Sequence, residues 1–256
     1  MVSKIELKLQ GNQELSYQMA SLFHGALMEL LPQEYVYKMH ASQLHPYTQH
    51  LEYNDKCWKW VISCLNEEAD RIILKEVMQN VSSIVLKKKQ ITIDIVDRAY
   101  TSLSDKELVG ILYSGDSSRY VDVHFQSPTA FKQNGQYVFY PDIRCIFQSL
   151  MNKYDSAEEK NVMRDEDTLT QLCETTRIVH YDLKSVSFSL EGVKIPSFIG
   201  KVTFKFTGAQ TLANFAKLLF TFGTYSGVGI KTALGMGSFE IPEERGKKCL
   251  QTDKLN

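Results

Sequence analysis

Residues 47–65 read YTQHLEYNDKCWKWVISCL, and this stretch decides the fold. Two runs rich in β-branched and aromatic residues, Tyr47 to Tyr53 and Cys57 to Leu65, flank the turn pair Asn54-Asp55. Such runs on both sides of a turn pair are typical of two antiparallel strands joined in a hairpin. The sequence therefore predicts a β-hairpin here, and the flanking segments decide which kind of sheet it enters.

A helix is predicted on each side of this hairpin. Upstream, one apolar stripe recurs at i, i+3, i+4 and i+7 between Ser16, a candidate N-cap, and Pro32, which ends the helix. Downstream, Asn66 caps a second helix with an apolar face. The alternating segment Val2 to Leu9 and the extended segment Val85 to Val96 complete the order β-α-β-β-α-β. This order is the split βαβ plan of ferredoxin-like domains.

The second half repeats the plan. Its predicted strands and helices lie at Tyr120–Phe125, Ile143–Tyr154, Arg177–Leu190, Ser197–Phe206, Leu212–Phe222 and Ser238–Ile241. The acidic segment from Ser156 to Glu174 is predicted to be a flexible or variable excursion. We therefore predict an α+β protein of two tandem ferredoxin-like (RRM-like, βαββαβ) domains, residues 1–100 and residues 118–256.

Composition points to a soluble, cytoplasmic protein. No run approaches the roughly 18 apolar residues that cross a bilayer, and charges stand where a signal peptide would have its apolar core. The five cysteines are odd in number and form no CxxC pair, which indicates free thiols. His40, His45 and His50 do not share one face with a matching carboxylate, so we predict no metal site and no cofactor.

Charge is segregated along a chain whose net charge is only −1. Residues 150–176 hold seven acids against three bases, a net charge of −4. Residues 177–241 hold seven bases against three acids, a net charge of +4. The basic segment is either a phosphate-attracting surface or a solvated face, and charge alone does not choose between them.

A glycine cluster follows the last predicted helix. Residues 227–238 read GVGIKTALGMGS. Dinucleotide and P-loop motifs need the order strand, glycines, helix, whereas the order here is helix, glycines, strand. The cluster is therefore either a tight connection or a loop whose backbone N–H groups approach a phosphate, with Lys231 adding charge.

With the preceding residues Phe222 to Ser226, this cluster resembles the C-terminal glycine-rich signature of the RAMP superfamily of CRISPR-associated RNA-binding proteins. The stretch from Tyr35 to Leu51 is similar to the region of the repeat-cleaving endoribonucleases in which a histidine precedes a short loop and a Pro-aromatic strand start. His40 takes the histidine position and Pro46-Tyr47-Thr48 the strand start, in a turn after the first helix. Gln49-His50 depart from the serine often found there.

The resemblance implies an endoribonuclease that cleaves CRISPR repeat RNA in precursor transcripts without a metal and leaves a 2′,3′-cyclic phosphate. His40 is the candidate general acid or base, because a histidine pKa of about 6.5 suits proton transfer near neutral pH. Tyr47 would donate a hydrogen bond to the 2′-OH or the leaving oxygen, and Lys38 would stabilise the charged transition state. His24 either points toward the His40 loop or is a boundary histidine bonded to backbone. His45 and His50 are interpreted as solvated residues.

RNA contacts are expected at the glycine cluster and on nearby basic residues. The candidates are Gly227, Gly229, Lys231, Thr232, Gly235, Gly237, Lys201, Lys205 and Arg144. Lys201 and Lys205 share parity and so project from one face of a strand, which they either present to RNA or merely solubilise.

Two other functions stay open. A non-catalytic RAMP subunit would grip RNA within an effector complex, whose other subunits are further candidate partners; His40 beside Tyr47 favours the enzyme. An RRM-like regulator of cellular RNA would need an RNP pattern, and the sequence has none. The protein is expected to work as a monomer or homodimer, away from membranes.

Overall fold

The computed structural model describes residues 1–11, 14–41, 44–54, 56–115, 118–157 and 165–242, with backbone alone for residues 40 and 41. The strands are β1 Val2–Gln10, β2 Tyr47–Asn54, β3 Cys57–Cys64, β4 Ser83–Leu86, β5 Ile91–Leu103, β6 Tyr120–Thr129, β7 Phe131–Gln133, β8 Gln136–Val138, β9 Thr176–Leu190, β10 Val193–Phe206 and β11 Phe239–Glu240. The helices are α1 Ala20–Leu30, α2 Gln33–Ala41, α3 Glu67–Ala69, α4 Asp105–Gly110, α5 Ile143–Ala157, α6 Glu166–Thr175 and α7 Gln210–Ser226, and α3 continues as a π-type helix over Asp70–Met78.

The N-terminal sheet has the strand order β2-β3-β1-β5-β4. The predicted hairpin is confirmed, because β2 and β3 pair antiparallel from Tyr47 opposite Cys64 to Asn54 opposite Cys57. Asn66 caps α3 through its side chain, as predicted, accepting the Ala69 amide at 2.8 Å. The first four strands in this order are arranged as in a ferredoxin-like domain, and β4 extends the edge.

Val85–Val96 was predicted as one extended segment, and this was wrong. The chain reverses within it, so that β4 pairs antiparallel with β5. Gln90 adopts a left-handed backbone conformation with φ +54°, which closes the turn. A run of three lysines before Gln90 gives no apolar pattern from which this turn could be foreseen.

The C-terminal sheet has the order β11-β6-β10-β9. Helices α5 and α7 bury their apolar stripes against it, in one core that includes Phe147, Leu150, Phe204, Phe220 and Phe222. This arrangement repeats the ferredoxin-like plan of the first half. The predicted fold class is therefore correct for both halves.

Two local predictions were wrong. Part of the acidic excursion is the regular helix α6, capped by the side chain of Asp165, which accepts the Thr168 amide at 2.8 Å; residues 158–164 lie outside the described part. The stretch from Tyr35 to Leu51 was taken as a turn after the first helix, but its beginning, up to Ala41, belongs to α2, which starts directly after Pro32. Proline is well placed there, since the first turn of a helix needs no amide at that position.

The two halves interlock at their cores. Val2 and Leu65 from the N-terminal half pack into the C-terminal core, and Leu108 of α4 joins them. Conversely, Ala233 from the glycine cluster packs into the N-terminal core. The described part of the segment between the two predicted domains, residues 101–115, thus includes the end of β5 and the packed helix α4. This interlocking brings the glycine cluster against α1.

The described helices include none that combines the length and the apolar character needed to span a bilayer. In the same ranges, no three His, Cys, Asp or Glu side chains converge as a metal site would require.

Candidate active site

A cleft of about 880 Å³ lies between the two halves of the chain. Its N-terminal wall is formed by α1, α2, the segment before β2 and the start of α3. Its C-terminal wall is formed by the end of α5 and by the glycine-rich loop, which we define as residues 227–238. Polar groups on the two walls include His24, Lys38, His45, Thr48, Glu68, Lys153, Lys231 and Thr232.

A histidine and a tyrosine are joined on the N-terminal wall. The hydroxyl of Tyr47 lies 2.6 Å from Nδ1 of His24, and their rings are nearly parallel. Burial raises the pKa of the Tyr47 hydroxyl far above its ordinary value, so the hydroxyl keeps its proton near neutral pH. The bond fixes the orientation of the His24 ring and leaves Nε2 as the nitrogen not engaged by Tyr47.

Tyr47 itself is 0% exposed. Its hydroxyl therefore contacts His24, and the direct hydrogen bond to RNA that the sequence suggested would require the side chain to leave the core. His24, in contrast, lines the cleft. Of the two interpretations of this residue, the geometry favours the one that turns it toward the predicted histidine segment.

His45 and His50 are not the solvated residues that we expected. His45 is half-buried and lines the cleft, with its ring centroid 6.4 Å from that of His24. His50 is buried and lies 3.6 Å from the carboxylate of Glu52. The N-terminal wall thus carries two imidazoles, His24 and His45, at the cleft.

His40 lies in the last turn of α2, and its side chain is outside the described part of the structure. Its neighbours Lys38 and Met39 line the cleft. Lys38 donates to both carboxylate oxygens of Glu68 at 2.7 Å, an exposed pair. The catalytic role of His40 stays a prediction, and Glu68 would compete with a phosphate for Lys38.

The glycine-rich loop is folded back on itself. The Val228 amide donates to the Gly237 carbonyl at 2.8 Å, and a 3₁₀ turn at Thr232–Leu234 forms its tip. Gly235 and Gly237 have positive φ, and a Cβ would come within 2.1 Å of the Ala20 Cβ at Gly235 and within 2.0 Å of the Val228 carbonyl oxygen at Gly237. Glycine is required at both positions, because neither backbone conformation nor space admits a side chain.

The predicted RNA-binding residues of the loop therefore separate into two groups. Gly229, Lys231 and Thr232 line the cleft. Gly227, Gly235 and Gly237 are buried behind this surface and shape it. The cluster is a tight connection, and part of it lines the cleft; its contact with a phosphate stays a prediction.

Three consecutive amides at the tip differ from the other amides of the loop in their hydrogen bonding. Across the described ranges, the N–H groups of Lys231, Thr232 and Ala233 have no hydrogen-bond acceptor, whereas the amides from Gly227 to Ile230 and from Leu234 to Ser238 all have one. Lys231 has a left-handed backbone with φ +57°, and the following turn is right-handed. Successive amides in such a turn form a concave site that suits an anion.

Two residues to which the sequence analysis gave no role bind acceptors of the loop. The side-chain amide of Gln49 donates to the carbonyls of Ala233 at 3.1 Å and Ala20 at 3.0 Å, and its oxygen accepts Trp60 Nε1 at 2.9 Å. Lys153 donates from Nζ to the Ser226 carbonyl at 2.9 Å and to Thr232 Oγ1 at 3.0 Å. The available signals were a glutamine amid apolar strand residues and a lysine beside the stripe of α5.

Lys153 is 6% exposed, and burial lowers the pKa of its ammonium group to about 7. No described carboxylate lies within 4 Å of its Nζ. Burying an ammonium group without an anion costs free energy, so a lysine in this position is unusual for a packed core.

The remaining candidates lie away from the cleft. Lys201 lines a separate cleft of about 480 Å³ between the two sheets. Lys205 lies over the ring of Tyr120, 5.6 Å from its centroid, and Arg144 forms an ion pair with Glu166. The structure therefore does not bring Lys201, Lys205 and Arg144 together with His24 and His45.

Comparison with known proteins assigns the family. A family model described as CRISPR-associated endoribonuclease Cas6 matches residues 123–239, from β6 to β11. The CRISPR-associated endoribonuclease Cas6 of Streptococcus thermophilus is 36% identical over 227 residues, which cover 89% of this chain and 93% of that protein. The chain belongs to the Cas6 family.

Other Cas6 proteins agree with this assignment. Cas6 of Mycobacterium tuberculosis is 32% identical over 230 residues, covering 89% of this chain and 73% of that protein. A solved structure described as a Cas6 product complex has a TM-score of 0.77 at 20% identity, and the match covers 94% of this chain and all of that one. The likeness to the solved structure concerns the fold, and it confirms the predicted tandem ferredoxin-like architecture. The family assignment confirms the resemblance to CRISPR repeat-processing endoribonucleases.

Proposed function

We propose that this Cas6 chain binds CRISPR repeat RNA in precursor transcripts and cleaves it, without a metal, into guide RNAs. The observation that carries the proposal is the cleft, which His24 and His45 line together with Lys231 and a loop tip whose three amides have no acceptor among the described residues. Cleavage of RNA by its own 2′-OH needs proton transfer and stabilisation of a charged phosphorane. In the proposal, the histidines of the N-terminal wall transfer the protons, and the loop of the C-terminal wall stabilises the charge.

In the proposed reaction, the 2′-OH attacks the adjacent phosphorus, so that the P–O2′ bond forms and the P–O5′ bond breaks. A base takes the 2′-OH proton and an acid protonates the departing 5′-oxygen, which leaves a 2′,3′-cyclic phosphate. The His40 imidazole fills one of these roles by its resemblance to the family histidine, and the His24 imidazole fills the other. Imidazoles suit both roles, because their pKa values lie near the working pH.

Tyr47 is a positioning residue in this scheme. Its buried hydroxyl holds the His24 ring through Nδ1 at 2.6 Å, and it acts on the RNA only through that ring. Holding an imidazole at one nitrogen directs the other toward its reaction partner.

On the opposite wall, the non-bridging phosphate oxygens accept hydrogen bonds from the amides of Lys231, Thr232 and Ala233, and Lys231 adds positive charge. Donors fixed before the reaction stabilise the developing charge without reorganising. Lys38 contributes when a phosphate draws it from Glu68.

The test uses the repeat RNA of the CRISPR array in the organism that encodes the chain, end-labelled and incubated with protein in EDTA. We expect one cut in the repeat and none in an unrelated hairpin. His40→Ala should abolish the cut, since general acid–base catalysis contributes about 10²–10⁴ in rate. The Kd for the repeat should stay within about tenfold of the wild-type value. Binding of the repeat by wild-type protein without any cut would instead favour a non-catalytic RNA-binding subunit.

A further inference from the structure

We propose that Lys153 is a positioning residue for the glycine-rich loop, which it holds in the conformation that receives an RNA phosphate. The inference rests on the proposed function for the identity of the ligand. The effect on the loop itself is a property of the protein without RNA, so it can be measured separately.

The first observation is the pair of contacts that Lys153 makes. Its ammonium group bonds the carbonyl of Ser226, where α7 ends, and the hydroxyl of Thr232, where the tip of the loop begins. The chain leaves α7 at Ser226 and reaches the tip of the loop at Thr232. The Lys153 side chain therefore connects the end of α7 to the tip of the loop.

The second observation is which loop atoms the protein engages. Lys153 and Gln49 both bind acceptors, the Thr232 hydroxyl and the Ser226 and Ala233 carbonyls. The amides of Lys231, Thr232 and Ala233 have no acceptor in the described ranges. Because Lys153 and Gln49 hold the tip of the loop through its acceptors, the three donors at the tip stay free of these two side chains, as a preformed phosphate site requires.

The third observation is the charge. Lys153 lines the cleft, and in the part of the chain that the structure describes its two bonded partners are neutral oxygens. A phosphate bound at the amides of the tip would bring a negative charge close to this buried ammonium group. Binding would then offset the cost of burying the charge, and that gain depends on the loop keeping its shape.

Lys153→Met separates this role from ordinary packing. Methionine is unbranched and of similar length, and replacing a buried charge with an apolar side chain is often neutral or stabilising. We expect an unchanged or higher Tm, faster hydrogen exchange of the amides in residues 227–238 without RNA, and a Kd for 2′-deoxy-blocked repeat RNA that is raised roughly tenfold or more. Lys106→Met, at an exposed position of α4, is the control and should leave all three unchanged.

Substitutions at Thr232 test the same proposal from the other side of the hydrogen bond. Thr232→Val removes the acceptor at nearly constant shape, while Thr232→Ser keeps a hydroxyl and should restore slow exchange. The double variant Lys153→Met with Thr232→Val should speed exchange less than the sum of the two single effects, since both remove one bond.

A lower Tm in Lys153→Met with unchanged loop exchange would overturn the proposal and make Lys153 a core residue. Additive effects in the double variant would also overturn it. If the wild-type protein does not bind repeat RNA at all, the proposed function fails, and the exchange experiment still decides whether Lys153 positions the loop.

Discussion

Gln49 in β2 donates a hydrogen bond of 3.1 Å to the carbonyl of Ala233, 184 residues later in the glycine-rich loop. The same side chain binds Ala20 of α1 and Trp60 of β3. Gln49 is 1% exposed, so it satisfies these groups where water does not reach. This single side chain links the N-terminal wall of the cleft to the glycine-rich loop of the C-terminal wall.

Gln49→Leu should therefore destabilise the protein by about 1–3 kcal/mol, because Trp60 Nε1 and two carbonyls lose their partner in the core. Cleavage should slow more than the loss of folded protein explains. Urea unfolding and single-turnover cleavage measure the two effects. The same substitution at the exposed Gln171 is the control, and equal behaviour of the two variants would contradict the bridging role.

Tyr47→Phe should reduce the single-turnover rate about 10- to 100-fold with little change in Kd, since it frees the His24 ring but leaves both walls in place. Single-turnover cleavage and filter binding of labelled repeat RNA provide the two numbers. Tyr181→Phe, at an exposed position of β9, serves as control. If Tyr47 only filled the core, Tyr47→Phe would leave the cleavage rate unaltered, because phenylalanine fills nearly the same volume.

Gly235→Ala should lower the Tm, because its Cβ would meet the Ala20 Cβ at 2.1 Å with φ at +104°. The expected cost is about 1–3 kcal/mol, the range for a strained backbone or an overpacked site. Thermal unfolding measures it, and Gly115→Ala, where a Cβ meets nothing within 4 Å, is the control. An unchanged Tm would show that the loop and α1 are not packed as described.

Lys153 gives stability a distinct pH dependence. Its pKa is about 7 in the folded chain against 10.5 ordinarily, so between these values the unfolded chain binds more protons. The free energy of unfolding should rise with pH through this window, by up to roughly 5 kcal/mol at about 1.4 kcal/mol per pKa unit. Below about pH 7 the lysine is protonated in both states and its burial cost is present in full.

The measurement is urea unfolding of wild type and Lys153→Met at about pH 6 and about pH 9. The wild type should gain stability relative to the variant as the pH rises. A difference between the two proteins that stays constant with pH would mean that Lys153 keeps its ordinary pKa.

The sequence predicts the strands and helices well where apolar periodicity is long, as in α1, α5 and the β2–β3 hairpin. It fails where one backbone conformation decides the path, as at Gln90. Motif resemblance located both walls of the cleft through His40 and the glycine cluster. No local sequence pattern indicates the roles of Lys153 and Gln49. The partners of Lys153 are at least 73 residues away, and those of Gln49 are up to 184 residues away. Contacts of this range are set by the packing of the two halves.

The chemistry of the cut ends tests most directly whether the 2′-OH of the RNA is the nucleophile. Wild-type protein is incubated with repeat RNA in EDTA, and the products are analysed by mass spectrometry. We predict a 2′,3′-cyclic phosphate on the upstream fragment, a 5′-hydroxyl on the downstream fragment, and no cut in a repeat with a single 2′-deoxy substitution at the scissile nucleotide. A 3′-hydroxyl with a 5′-phosphate, or cleavage of the deoxy substrate, would contradict attack by the 2′-OH and with it the proposed roles of His40 and His24.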